Sequence, residues 1–212
     1  MKTVLCYGDS NTYGYGVEGV LGERYAREVR WPGVLQQALG TSWHVIEEGL
    51  NGRTTVSDDP VEGLWKNGRT PLMAILHSHK PLDWVVIKLG TNDLKTRFHK
   101  DAREIALGVG VLVGDIQRTE VGPGGGVPQI LMVAPAPILD NCQQPHPAFA
   151  GQAGVSAGLA REYAAVAAQM GVHFLTAGDI ISSSPVDGIH LSADAHGRLG
   201  RAVSELLLQT NG

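Results

Sequence analysis

Short runs of consecutive apolar residues alternate along the chain with longer stretches of helical periodicity. The runs cover residues 3–7, 43–47, 84–89, 130–134 and 172–175, each four to six residues long and rich in Val, Ile and Leu. That texture predicts strands buried on both faces of a parallel sheet. Helices are expected over 31–39, stopped by Gly40; over 70–79, stopped by Pro81; over 101–118; and over 158–170, stopped by Gly171. A last helix is expected over 193–208, with Ser192 as its N-cap. Strand, helix, strand repeated in this way predicts a doubly wound α/β sheet with right-handed crossovers. Two long connections, 56–69 and 136–157, are expected to build binding walls or subunit contacts. The glycine-rich stretch 122–126 fits no phosphate-binding fingerprint and reads as a surface turn.

Composition sharpens the picture. A chain of 212 residues with 43% hydrophobic content is expected to form one domain over residues 1–212 around a single large core. A formal charge of −4 without any Lys/Arg block speaks against nucleic acid or an anionic membrane as the main partner. Two cysteines, Cys6 and Cys142, make no disulfide framework, and Cys6 falls in the first apolar run, where a thiol behaves as a small hydrophobe. No apolar stretch reaches membrane-span length, and the first run is too short for a signal-peptide core. A cytoplasmic protein is the expectation. Lys88 stands out as a charge inside a central strand that needs a partner the sequence does not name.

The candidate chemistry sits where such sheets bind ligands, beyond the carboxyl ends of the strands. Ser10, in Gly8-Asp9-Ser10-Asn11, follows the first strand. Gly52 follows the second, Asn92 in Gly90-Thr91-Asn92-Asp93 the third, and Asp187-Gly188-Ile189-His190 comes after the fifth. A serine is a poor nucleophile until a base takes its proton. The Asp187-x-x-His190 spacing lets one short loop present both a base and its orienting carboxylate. Gly52 can bring a backbone N–H close to a developing oxyanion, and Asn92 offers a side-chain amide to the same oxygen, with the Ser10 N–H as a third donor. Ser156, in Gly154-Val155-Ser156-Ala157-Gly158, matches a G-x-S-x-G elbow, but the residues before it do not read as the strand an elbow requires. His77, His79, Asp58, Asp59 and Asp9 offer no metal-binding spacing, and His44, His99, His146, His173 and His196 are expected as solvent or packing residues.

With Ser, Gly, Asn and His in four ordered blocks, the chain resembles the SGNH (GDSL-type) hydrolase superfamily over its whole length. Arg30-Trp31-Pro32-Gly33, Gly52-Arg53-Thr54-Thr55 and 185–190 resemble its arylesterase/acyltransferase branch. The resemblance implies a flavodoxin-like three-layer α/β/α sandwich with a five-stranded parallel sheet. It implies an esterase without metal or other cofactor, with Ser10, Asp187 and His190 as the triad and Ser10, Gly52 and Asn92 as the oxyanion hole. The substrate implied is a small-molecule aryl or short-chain alkyl ester, with acyltransfer to alcohols or hydrogen peroxide in some members, and a homo-oligomer is expected. A carbohydrate O-deacetylase on the same site and a non-catalytic flavodoxin-like binding module are the alternatives. Asn11 stands where the family's block has Leu, making the pocket beside Ser10 more polar, and Tyr13, Lys95, Phe149 and Ile189 are expected as further pocket walls.

Overall fold

The computed structural model describes residues 1–210. Five strands, β1 (Lys2–Gly8), β2 (Trp43–Gly49), β3 (Trp84–Lys88), β4 (Gln129–Ala134) and β5 (His173–Thr176), form one sheet in the order β2-β1-β3-β4-β5. Every neighbouring pair is parallel. The expected strands are all present, displaced by at most two residues at either end. The order reverses at β1, which pairs with both β2 and β3, so the topological switch point opens at their carboxyl ends.

The helices are α1 (Ser10–Tyr13), α2 (Trp31–Leu39), α3 (Arg69–His79), α4 (Ala102–Gln117), α5 (Ala153–Met170) and α6 (Ala193–Thr210). Alternation along the strands divides the core between the two faces of the sheet. Leu5, Tyr7, Val85 and Ile87 point toward α3, α4 and α5, where Leu72, Ile105, Leu112 and Leu159 close the layer. Val4, Cys6, Trp84 and Val86 point the other way, onto Trp31, Leu35, Leu199 and Val203 of α2 and α6. This is the three-layer α/β/α sandwich.

Helix ends follow the chemistry of their caps. Asp101 and Glu104 form a reciprocal capping box at the start of α4, and Ser192 Oγ accepts the Ala195 N–H at the start of α6. Two elements depart from expectation. The four-residue α1 falls inside what reads as a loop, because Asp9 accepts the Asn11 N–H at 3.0 Å and winds the chain directly after β1. α5 begins at Ala153 rather than at 158, and Ser156 lies buried in its first turns.

Candidate active site

Four segments meet at the switch point, and each is held there by interactions of its own. Ser10 opens α1, at the carboxyl end of β1. Asn51 and Gly52 follow β2 in a loop pinned by Arg53, whose guanidinium lies over the Tyr7 ring at 4.2 Å and donates to the carbonyls of Gly8 (2.9 Å) and Glu48. Gly52 has φ +78°, a left-handed backbone that calls for glycine, while the atoms a Cβ would meet are the movable ends of the Glu62 and Lys66 side chains. Beyond β3, buried Asp93 accepts from Thr55 N (2.8 Å), Thr55 Oγ1 (2.6 Å) and Ser57 Oγ (3.0 Å), tying the Asn92 loop to the one after β2. Asn92 Nδ2 donates to the Arg53 carbonyl at 3.1 Å, which uses one amide proton and leaves the other.

The fourth segment runs through Asp187 and His190. His190 Nε2 lies 2.9 Å from Ser10 Oγ, and its Nδ1 lies 2.6 Å from Asp187 Oδ2. Asp187 Oδ1 accepts the backbone N–H groups of Ile189 and His190, each at 3.0 Å. Burial raises the pKa of the Asp187 carboxyl. The hydrogen bond and charge of His190, with the two amides, outweigh that and hold it below the ordinary aspartate value. Gly188, at φ +75°, makes the tight turn that brings carboxylate and imidazole together, and a Cβ there would meet the Leu139 carbonyl at 2.3 Å. Tyr15 stacks on the imidazole, ring centroids 4.1 Å apart and 21° between planes.

Ser10, Gly52, Asn92 and His190 share the wall of one cleft of about 180 Å³ with Tyr15, Asn51, Glu62, Lys95, His146, Phe149 and Ile189. The sequence-based expectation placed Lys95, Phe149 and Ile189 in this wall, and they line it. Asn11 and Tyr13 do not, for a shared physical reason. α1 is only four residues long and ends at Gly14 in the left-handed conformation. The chain turns there, so Tyr15 reaches His190, while the Tyr13 ring lies under the Arg24 guanidinium at 4.1 Å. Asn11 points inward and ties the two halves of the site together: its Nδ2 donates to the Ile189 carbonyl (3.3 Å) and its Oδ1 accepts the Leu191 N–H (3.1 Å).

Tyr15, Asn51, Glu62 and His146 escaped the sequence reading. His146, expected among solvent and packing histidines, is exposed as such and also lines the mouth. Glu62 lies in the long connection expected to build a wall, but nothing local marks it. It accepts from Lys95 Nζ at 2.6 Å and from Arg97 at 2.5 Å, and Arg97 also donates to buried Asp59 at 2.5 Å. Burial pulls the Lys95 ammonium below the ordinary lysine pKa, against the opposing pull of Glu62. Ser156 is far from any such arrangement: its Oγ accepts the Ile138 N–H at 2.9 Å. His79 pairs with Glu48 at 3.0 Å, and among the described residues no three His, Cys, Asp or Glu side chains gather as a metal-ligand set.

Lys88, the unexplained charge of β3, has its side chain buried on the α2/α6 side of the sheet. Burial pushes its pKa down, and the charge of Asp9, the residue before Ser10, works against that. Asp9 is fully buried, with Oδ2 free of any hydrogen bond among the described residues.

A fold of this topology with Ser, His and Asp in line at its switch point is the architecture of the serine hydrolases of the SGNH type. The chain matches the GDSL-like lipase/acylhydrolase family model over residues 6–198, and it belongs to that family of carboxylic-ester hydrolases. Among solved structures it is similar to Est24, a carbohydrate acetylesterase from Sinorhizobium meliloti, at 42% identity and TM-score 0.91, covering 99% of this chain and 100% of that one. It is similar also to the aryl esterase of M. smegmatis, at 42% identity and TM-score 0.90, covering 99% of each chain. A putative arylesterase from Agrobacterium tumefaciens str. C58 follows at 38% identity, TM-score 0.88 and 99% of each chain. No curated protein matches the chain.

Proposed function

We propose that the protein is a serine esterase that hydrolyses aryl and short-chain alkyl esters through an acyl-enzyme, with Ser10 as nucleophile. The observation that carries this reading is the unbroken line Asp187–His190–Ser10 ending in a cleft that also holds Gly52 and Asn92. In this reading the His190 Nδ1–H donates to Asp187, which leaves the Nε2 lone pair toward Ser10. Ser10 Oγ attacks the ester carbonyl carbon as Nε2 takes its proton. The N–H groups of Ser10 and Gly52 and the second Asn92 amide proton receive the oxyanion. Collapse breaks the bond to the alcohol oxygen, which takes the proton from His190. Water, deprotonated by the same imidazole, then releases the acid.

The Glu62–Lys95 pair makes one side of the mouth polar, which favours water as the acyl acceptor over transfer to an alcohol. The same pair gives support to a second reading, O-deacetylation of a carbohydrate, because its charged groups suit sugar hydroxyls. The name of one relative, a carbohydrate acetylesterase, agrees with that reading, and that of another, an aryl esterase, with the first.

The test is hydrolysis of p-nitrophenyl acetate, butyrate and octanoate by wild type, Ser10→Ala, Asn92→Ala and Ser156→Ala. Ser10→Ala is expected to lose turnover with its fold intact, and Asn92→Ala to lose about 10²-fold in kcat. Ser156→Ala is expected to keep the chemistry. Full activity in Ser10→Ala would refute the nucleophile assignment and leave another mechanism, and no hydrolysis by the wild type would leave the binding-module reading.

A further inference from the structure

Beside the cleft lies a second cavity of about 330 Å³, nearly twice the cleft's own volume of about 180 Å³. His146, Phe149 and Ile189 line both and form the partition between them. The partition is braced: the His146 ring meets Phe149 edge-on at 5.6 Å, and its Nδ1 accepts the Ala148 N–H at 3.2 Å. Beyond it the chamber is walled mainly by Ile138, Leu139, Pro145 and Ala150, with the carboxylates of Asp140 and Asp187 at its sides. Its volume is in the range that encloses a small organic group, about 300–1,000 Å³.

We propose that this chamber receives the apolar alcohol moiety of the ester, and that the cleft itself receives a short acyl group. The inference rests on the reading of Ser10 and His190 as nucleophile and base, and it adds to that reading the direction in which the substrate lies. The proton held on His190 Nε2 must reach the alcohol oxygen as the bond from that oxygen to the carbonyl carbon breaks. The alcohol therefore departs along the His190 side of the tetrahedral centre. The residues flanking His190 in its loop, Asp187 and Ile189, are the ones that wall the chamber. On the opposite side the oxyanion faces Gly52 and Asn92, where Asn51, Glu62 and Lys95 crowd the space with polar groups. That side suits an acetyl group and penalises a long alkyl chain, which would desolvate the Glu62–Lys95 pair.

Two wall positions change the chamber without touching the triad. Ala150 is exposed at its rim, and Leu139 is 38% exposed. The experiment measures kcat/KM of wild type, Ala150→Trp and Leu139→Ala on methyl acetate, 2-naphthyl acetate and methyl octanoate, in protein quantified by active-site titration. Filling the chamber with Ala150→Trp is expected to lower the naphthyl-to-methyl acetate ratio by about tenfold or more, the scale on which apolar pockets discriminate. Enlarging it with Leu139→Ala is expected to raise that ratio, a change of opposite sign that stands even if the Trp variant does not fold. The octanoate-to-acetate ratio is expected to stay at its wild-type value in both. An unmoved naphthyl ratio in the folded variants, or an octanoate ratio that moves in its place, would overturn the assignment. Ser10→Ala run beside them separates the two claims: methyl acetate hydrolysis that survives it overturns the nucleophile reading itself, and the chamber's direction with it.

Discussion

At the scale of single residues, Asn11 shows how one polar side chain can order a site without facing it. Its amide bridges α1, which carries Ser10, to the backbone on both sides of His190. A leucine at this position fills the volume but satisfies neither the Ile189 carbonyl nor the Leu191 N–H. Each orphaned buried group costs about 1–3 kcal/mol. Asn11→Leu is therefore expected to lower stability by that order for each group and to reduce kcat more than it raises KM, because it loosens the Ser10–His190 distance rather than the substrate wall. Urea denaturation and steady-state kinetics check the two halves, and an unchanged kcat would remove Asn11 from the positioning of the histidine. Tyr15 works at the same scale, with its ring on the outer face of the imidazole. Which of the two tyrosines near Ser10 would do this depends on the left-handed Gly14 between them, and a sequence motif does not display that turn.

At the scale of elements, β3 carries a charge through the middle of the sheet and places it near the Ser10 segment. Lys88 and Asp9 are both removed from water, so neither is favourable there without the other. Replacing Lys88 by Met keeps the volume but removes one of the two cations, Lys88 and Arg53, whose charges act on the buried Asp9 carboxylate. Lys88→Met is expected to lower stability in denaturant midpoint experiments by less than the about 3–5 kcal/mol of breaking a direct buried ion pair, and the double variant Lys88→Met/Asp9→Asn to recover part of it. A single variant as stable as wild type would show that the pair contributes no such balance. The loops behave in the same interlocked way. Asp93 holds the segment after β2 through three hydrogen bonds, so Gly52 and Asn92 are positioned jointly.

For the molecule as a whole, the clearest pH dependence of stability comes from behind the site. His196 in α6 is fully buried, and its Nδ1 accepts the Trp31 N–H at 3.3 Å. Burial pushes its pKa from 6.5 down to about 3, and the charges of Lys88, His190 and Arg30 add to the depression. Above pH 6.5 the imidazole is neutral in both folded and unfolded chains and contributes nothing to the pH dependence. As the pH falls below that value the unfolded chain takes up a proton that the native state refuses. Stability then falls by about 1.4 kcal/mol per pH unit from this one group. Asp187, whose pKa is lowered in the fold, loses its contribution only as the pH drops below its ordinary value of 3.8, beneath this window. His196→Asn keeps an acceptor for Trp31 and removes the titration. Denaturation midpoints between about pH 6 and 4 are expected to slope less steeply in the variant, and equal slopes would refute the assignment.

The sequence by itself determined the order of elements, the parallel sheet and the identities of the segments that meet at its carboxyl edge. Apolar runs, helix periods and caps are written in neighbouring residues, and so is the Asp187-x-x-His190 turn. Ser10, Gly52 and Asn92 were legible because each lies within a few residues of a strand end that defines the rim, and His190 because the Asp187-x-x-His190 turn marks it. Only the tertiary structure decided where the other side chains point. Asn11 and Tyr13 turned away from the cleft because α1 is a single short turn of helix, and Tyr15 came in because Gly14 reverses the chain. Glu62 met Lys95, and Asp59 met Arg97, because loops distant in the chain pack against each other. The chamber behind Phe149 is a space between the fourth connection and the His190 loop. A void of that kind belongs to no segment, since it is set by how closely two segments pack.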